Sequence, residues 1–341
     1  MIKVLMTGAG APGGPGIIKG LRQDKNIDLL VCDSNPNASG RYLNEKFEKI
    51  PMAIENEFIS HMLNLCEIYD IDVIFPLVTR ELFKFSENKD LFERNGIKIV
   101  VSNYESLKIA NDKSALCSHL LKNNVLTPDF RVVKKFSELE NAILELGYPN
   151  KPVCIKPSIS NGSRGVRIIN DNINEYELLF DHKPNSLYIS YEKIISILKD
   201  REFPELLISE YLPGNEYTID TIVRNGKAEY IIPRKRSKMN GGISVAGEFE
   251  ENIEIIEYCN KIINSLELIG PIGLQVKKSN SGIYKILEIN PRIQGTSIAA
   301  LGAGVNLPLM AIYSVLGMKS NKSKMNWNVK FVRYYDEVYY E

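Results

Sequence analysis

Short apolar runs alternate with segments of helical spacing over the first hundred residues. Residues 2–7 read as a strand, and Gly8 to Gly16 as a glycine-rich turn opening a helix through Gly20-Leu21. The run Asp28–Cys32 is a second strand ending at Asp33. Helical periodicity from about Glu57 to Tyr69 leads into the apolar strand Val73–Phe75, and a second helical stretch, Arg80 to Asn95, leads into Lys98–Val101. Strands alternating with helices predict a parallel α/β sheet, closing near residue 105.

From Asp112 the pattern changes. Asp112-Lys113 opens a helix to about Asn123, Thr127-Pro128 marks a turn, and a helix is expected over Phe136–Leu146. Strands are expected at Val153–Lys156, Leu206–Ile208, Tyr217–Val223, Glu229–Ile232, Ile272–Lys277 and Tyr284–Ile289. Strand-rich sequence interrupted by helices predicts an α+β region with antiparallel pairing. Asp181–Pro204 has helical spacing around Ile194, Ile195 and Leu198 and reads as a peripheral insertion. Val329 to Tyr340 alternates aliphatic, aromatic and charged residues, which predicts a last strand.

Composition narrows the function by exclusion. The 341 residues are 44% hydrophobic and 25% charged with a formal net charge of +0, so no global field favours nucleic acid or an anionic membrane. No apolar run reaches the length of a membrane span, and the opening Met1–Met6 run meets a glycine turn at once, unlike a signal peptide. Cys32, Cys66, Cys117, Cys154 and Cys259 are scattered, odd in number and form no CxxC, which fits a reducing cytoplasm. His61, His119 and His182 are the only histidines and none neighbours another, which weakens zinc and histidine-triad readings.

Two glycine loops compete for a nucleotide. Gly8-Ala9-Gly10-Ala11-Pro12-Gly13 fits GxGxxG after a strand, with Asp33 about 20 residues on, the pattern of a dinucleotide site. Pro12 and Pro15 crowd that turn, and a packing role for its glycines is the other reading. The second loop, Pro157-Ser158-Ile159-Ser160-Asn161-Gly162-Ser163-Arg164-Gly165, follows Lys156 at the end of an apolar strand. Small polar residues and glycines there let backbone N–H groups approach phosphate oxygens, although the order is not that of a Walker A loop. Further on, Glu210-Tyr211-Leu212-Pro213-Gly214 leaves a strand with Glu216 six positions after Glu210.

The densest chemistry is Glu288-Ile289-Asn290-Pro291-Arg292, with Gln275 thirteen positions upstream. Strand alternation puts positions 288, 290 and 292 on one face, and Pro291 requires a sheet edge or a strand end. Oxygen donors of this kind suit Mg²⁺, which usually keeps a phosphate among its ligands, and an adjacent Arg can neutralise phosphate charge. The local reading is a metal–nucleotide phosphate site.

Taken in order, Asp112-Lys113, Ile155-Lys156 with its loop, Glu210-Tyr211-Leu212, Glu216, Gln275 and Glu288–Arg292 resemble the ATP-grasp superfamily, most nearly its carbamoyl-phosphate synthase large-chain and biotin carboxylase branch. The resemblance covers residues 112 to about 317. It implies a Rossmann-like pre-ATP-grasp domain at 1–108, an ATP-grasp domain at 109–317 with a small lobe at about 112–205 and a large lobe at about 206–317, and an extension at 318–341. It further implies that Lys113 and Lys156 contact ATP phosphates and that the loop with Ser158, Gly162, Ser163 and Gly165 closes over them. Glu210, Tyr211 and Leu212 would contact adenine and Glu216 ribose. Gln275, Glu288 and Asn290 would hold one or two Mg²⁺ ions, with Mn²⁺ able to substitute, and Arg292 would sit beside the transferred phosphoryl group. Many members have a carboxylate where Gln275 stands. Arg234 or Arg236, following the strand Tyr230–Ile232, could fork a substrate carboxylate, with Gly295-Thr296 completing that wall; a solvated basic turn is the other reading.

The function so implied is an ATP-dependent carboxylate–amine ligase acting on small molecules, in which an acyl phosphate forms and an amine displaces phosphate. Alternatives are a phosphotransferase or carbamoyl-phosphate-synthase-like half reaction and, remotely, an NAD-dependent oxidoreductase using the first glycine loop. Many relatives are dimers, so a homodimer is among the expectations.

Overall fold

The computed structural model describes residues 1–160, 162–181, 187–319 and 323–340. The chain forms two compact units: Met1–Lys108 with Tyr217–Gln275 and Ile289–Glu341, and Ile109–Glu216 with Val276–Glu288.

In the first unit, β1 (Ile2–Met6), β2 (Ile27–Asp33), β3 (Phe47–Lys49), β4 (Val73–Phe75) and β5 (Lys98–Ile99) make a parallel sheet in the order β3-β2-β1-β4-β5. Helices α1 (Gly14–Leu21), α2 (Phe58–Tyr69), α3 (Thr79–Glu87), α4 (Lys89–Arg94) and α5 (Tyr104–Asn111) connect the strands and lead onward. Parallel strands buried on both faces read as continuous apolar runs, and Val4, Leu5 and Met6 are all fully buried. Val4 and Met6 join a core with Ile17, Val31 and Phe75, whereas Leu5 joins one with Leu30, Phe58 and Ile74. The single helix expected over Arg80–Asn95 is broken at Asn88, which caps the end of α3 and the start of α4.

The second unit begins with α6 (Lys113–Lys122), β6 (Phe130–Val133), α7 (Phe136–Glu145), β7 (Val153–Pro157) and β8 (Arg167–Ile169). It continues through α8 (Glu175–Phe180), β9 (Tyr188–Ile189), α9 (Tyr191–Leu198) and β10 (Leu206–Glu210). Its sheet runs β6-β10-β7-β8-β9, with β10 antiparallel to both neighbours. The stretch read as a peripheral insertion is partly structural: Ile194 of α9 is buried with Leu139, Ile143, Ile155 and Ile208 in this unit's core. Residues 182–186 of that stretch, His182 among them, lie outside the described residues.

The chain then forms β11 (Glu216–Arg224), β12 (Lys227–Asn240), β13 (Ile243–Phe249), α10 (Ile253–Ser265), β14 (Gly270–Lys278) and β15 (Tyr284–Asn290). Last come α11 (Ala299–Gly302), α12 (Leu307–Val315) and β16 (Lys330–Val332). The third sheet runs β15-β14-β11-β12-β13-β16, antiparallel at β11–β12, β12–β13 and β13–β16. Two expectations are corrected here. Arg234, Lys235 and Arg236 do not follow the strand but lie inside the 14-residue β12. The strand expected to Tyr340 stops at Val332, because Tyr334, Tyr335 and Tyr339 are all exposed and have no face to bury.

Candidate active site

In the second unit, local rules place two lysines with care. The Asp112 carboxylate accepts from the Ser114 and Ala115 N–H groups, a favourable cap for orphan donors at a helix start, and this fixes Lys113 at the first helical position. Lys113 is 6% exposed, so the alternative of an ordinary surface lysine does not describe it. Its Nζ donates to the Ser160 carbonyl at 2.9 Å and lies 3.8 Å from a Glu288 carboxylate oxygen. Burial lowers the Lys113 pKa, Glu288 opposes that shift, and Lys156 reinforces it. In β7, Val153 and Ile155 point into the core while Lys156 takes the other face, where its Nζ donates to the Leu287 carbonyl at 3.4 Å. Two lysines 43 positions apart thereby converge on the strand that carries Glu288.

The loop after β7 is anchored at its base. Ser158 N–H donates to the Glu205 carbonyl at 2.9 Å, and its own carbonyl accepts from Lys113 N–H at 2.9 Å. Its hydroxyl donates to the Glu205 carboxylate at 3.0 Å, beside Ser114 Oγ. Gly162, Ser163 and Gly165 have left-handed φ values of 65°, 58° and 76°. At Gly165 a Cβ would meet the Pro157 ring at 2.6 Å, so only glycine fits. Asn161 lies outside the described residues.

Glu210 ends β10 with its carboxylate occupied: it accepts from Asp129 N–H at 2.8 Å and pairs with Lys285. What this segment can offer a base is therefore the backbone of Glu210 to Leu212. Leu212 is buried, and Lys277 Nζ stands 5.3 Å from the Tyr211 ring centre. Burial, then Tyr188, pushes the Tyr211 phenol up to about 12. Glu216 opens β11, half-buried.

The first unit holds the other candidates. Gln275 lies in β14, and its Oε1 accepts from Arg236 Nη1 at 3.4 Å. Arg236 Nε donates to Ser244 Oγ at 3.0 Å, and Nη2 donates to the Gly242 carbonyl. The edge strand β15 ends at Asn290, as Pro291 requires, and Arg292 N–H folds back onto the Asn290 carbonyl at 2.7 Å. Arg292 thus lies past the strand in a turn, contrary to the expectation of alternation through 292. Its Nε donates to Thr79 Oγ1 at 3.1 Å, at the start of α3. Among the described residues no group of three or more His, Cys, Asp or Glu could hold a metal. Taken singly, Gln275, Glu288 and Asn290 carry amide or carboxylate oxygens, the donor type hard cations take.

Arg234 was expected to reach a substrate. It is 0% exposed, with Nη2 donating to Asp220 at 3.0 Å and to Thr296 Oγ1 at 2.8 Å. A guanidinium with no accessible surface does not present itself to a ligand, and Arg236, half-buried beside Gln275, fits that role better. The partner was missed in the sequence, although its signal was there: Asp220 is the lone charge in the apolar stretch Tyr217–Val223.

The first glycine loop serves packing. Asp33, the acidic residue of the dinucleotide pattern, accepts from the Gly10 N–H of that loop at 2.8 Å. A Cβ on Gly13 would lie 2.4 Å from the Gly295 Cα, so the two backbones meet where a pyrophosphate would need room. This arrangement does not fit the NAD reading.

Known proteins resemble this chain in sequence and in fold. Residues 4–100 match the PylC-like N-terminal domain family, and residues 202–336 match the family described as ATP-grasp in the biosynthetic pathway with Ter operon. The carbamoyl phosphate synthase large chain of Pseudothermotoga lettingae is 26% identical over 319 residues, 87% of this chain and 26% of that protein. The chain thus spans about a quarter of the length of this curated relative. An ADP complex of N5-carboxyaminoimidazole ribonucleotide synthetase superposes with a TM-score of 0.73 at 15% identity, covering 97% of this chain and 81% of that one. The biotin carboxylase domain dimer of Hydrogenobacter thermophilus 2-oxoglutarate carboxylase, solved with MgADP, ADP and bicarbonate, gives 0.71 at 16% identity, covering 97% and 73%. The protein is therefore one with an ATP-grasp domain behind a PylC-like N-terminal domain. No helix among the described residues is long and apolar enough to cross a membrane.

Proposed function

We propose that the protein is an ATP- and Mg²⁺-dependent ligase that activates a small-molecule carboxylate as an acyl phosphate and joins it to an amine, releasing ADP and phosphate. The observation that carries this reading is the convergence of Lys113 and Lys156 on the Glu288 strand and on the base of the Ser158–Gly165 loop. The domain division 1–108, 109–317 and 318–341 and a cytoplasmic location belong to the same proposal.

A carboxylate resists attack by an amine because its leaving group would be oxide. Transfer of the γ-phosphoryl group from ATP supplies phosphate as the leaving group, and an amine held in near-attack geometry then forms the amide. Phosphoryl transfer is chiefly positioning and charge neutralisation. Lys113 and Lys156 bind phosphate oxygens, the backbone of Glu210 to Leu212 holds adenine, and Glu216 holds ribose. Gln275, Glu288 and Asn290 would hold Mg²⁺, which neutralises phosphate charge when bound. Arg292 serves the transferred group, Arg236 the substrate carboxylate, and the loop excludes water from a hydrolysable intermediate.

Release of ADP, screened against carboxylates with and without pooled amines, tests this. ADP formation that needs both partners supports a ligase. The relationship to the carbamoyl phosphate synthase large chain favours as second reading a phosphorylating half reaction, which would release ADP with the acid alone.

A further inference from the structure

The strongest unexplained feature of the first unit is a charge hub with no access to solvent. Asp220 is 2% exposed and Arg234 0%. On β11 and β12 Thr218 stands opposite Arg234, so Asp220, two positions on, meets the guanidinium diagonally on the same face. Asp220 Oδ2 accepts from Arg234 Nη2 at 3.0 Å, and Oδ1 accepts from Ser297 Oγ at 2.6 Å and Gln294 Nε2 at 3.1 Å. Arg234 Nη2 also donates to Thr296 Oγ1 at 2.8 Å. Ser297 Oγ in turn accepts from Gln294 N–H at 3.0 Å. The Gln294 amide lies in a slot that Gly273 leaves free, for a Cβ there would fall 2.1 Å from the Gln294 Cδ. The Phe331 ring centre is 5.3 Å from the Arg234 guanidinium carbon.

Such a hub is an expensive way to stabilise a fold. Removing two charges from water is repaid only by excellent geometry, and Arg234 Nε and Nη1 have no partner among the described residues. Among the described residues, every side-chain hydrogen bond the hub makes beyond its own ion pair goes to Gln294, Thr296 or Ser297. That turn begins two residues after Arg292, whose other flank is fixed by the end of β15.

We infer that the Asp220–Arg234 pair is a positioning device that clamps the Gln294–Ser297 turn and thereby holds Arg292 in register for the transferred phosphoryl group. Arg234 acts through the turn and does not touch substrate. The inference rests on the role given above to Arg292.

Asp220→Ala would strand a buried cation, so the diagnostic variant is Ser297→Ala, which removes one hydroxyl and keeps the ion pair. Calorimetric titration with Mg·ADP and with the nonhydrolysable Mg·AMPPNP separates γ-phosphate recognition from nucleotide binding as a whole. Arg292→Ala should weaken AMPPNP while sparing ADP. Ser297→Ala should do the same to a smaller degree, about tenfold for a lost hydrogen bond, with ADP affinity unchanged and Ser297→Thr restoring the wild-type value. If Arg292→Ala loses AMPPNP selectively and Ser297→Ala keeps wild-type affinity for both nucleotides, the clamp is refuted while the ligase reading stands. If Arg292→Ala also keeps both affinities, the role of Arg292 fails and the clamp with it.

Discussion

Glu81 offers a quantitative test of how the first unit is built. It is 6% exposed, in the first turn of α3, and its carboxylate accepts from Thr7 Oγ1. Burial raises its pKa to about 7 from an ordinary 4.5; Asp33 adds to the rise, while Thr7 and the Val78 backbone oppose it. The folded state therefore binds this proton more tightly than the unfolded chain between pH 4.5 and 7, and stability falls as pH rises through that window. Each pKa unit corresponds to about 1.4 kcal/mol, so the loss is roughly 3 kcal/mol, complete above pH 7 and absent below pH 4.5. Glu81→Gln keeps the shape and an acceptor for Thr7 but cannot ionise. The assay is urea unfolding followed by the fluorescence of the single tryptophan, Trp327, which packs on this unit's core. Glu81→Gln should match the wild type near pH 4.5 and exceed it by roughly 3 kcal/mol at pH 8. Parallel stability curves for the two proteins across this range would show that Glu81 ionises freely, and the burial argument would be wrong.

Other expectations follow from the same geometry. Glu288→Ala should abolish ADP release while leaving the Trp327 unfolding transition in place; retained turnover would move the metal site elsewhere. Arg236→Ala should raise the apparent KM for the carboxylate far more than that for ATP, and equal changes in both would remove Arg236 from the acid's subsite. Gly13→Ala should destabilise the first unit by about 1–3 kcal/mol, the usual range for overpacking, because its Cβ would lie 2.4 Å from the Gly295 Cα. An unchanged urea midpoint would mean that the two turns yield freely.

Much of this molecule was legible in one dimension because its signals are local. The apolar runs at 2–6, 27–33 and 73–75 require strands wherever they are buried, and Asp112 caps the helix that begins at Lys113 whatever lies nearby. Pro291 ends an edge strand by removing a backbone donor. Lys156, Glu288 and the polar loop could be nominated because their residue types suit phosphate and metal. The failures were equally physical. Alternation over Val329–Tyr340 looked like a strand, but a period of two means a strand only where one face is covered. Basic residues 234–236 were placed beyond the strand because charge in a sequence signals solvent, and only cross-strand pairing with Asp220 lets Arg234 be buried.

The division of labour is clear at the two glycine loops. Composition and spacing made both of them phosphate-binding candidates, since a glycine's freedom is a property of the residue itself. Only the tertiary structure tells them apart: Gly295 fills the approach to Gly13, whereas the base of the second loop holds two lysines against the Glu288 strand. Sequence determines which groups can do the chemistry; the close approach of segments hundreds of residues apart determines which of them have room to do it.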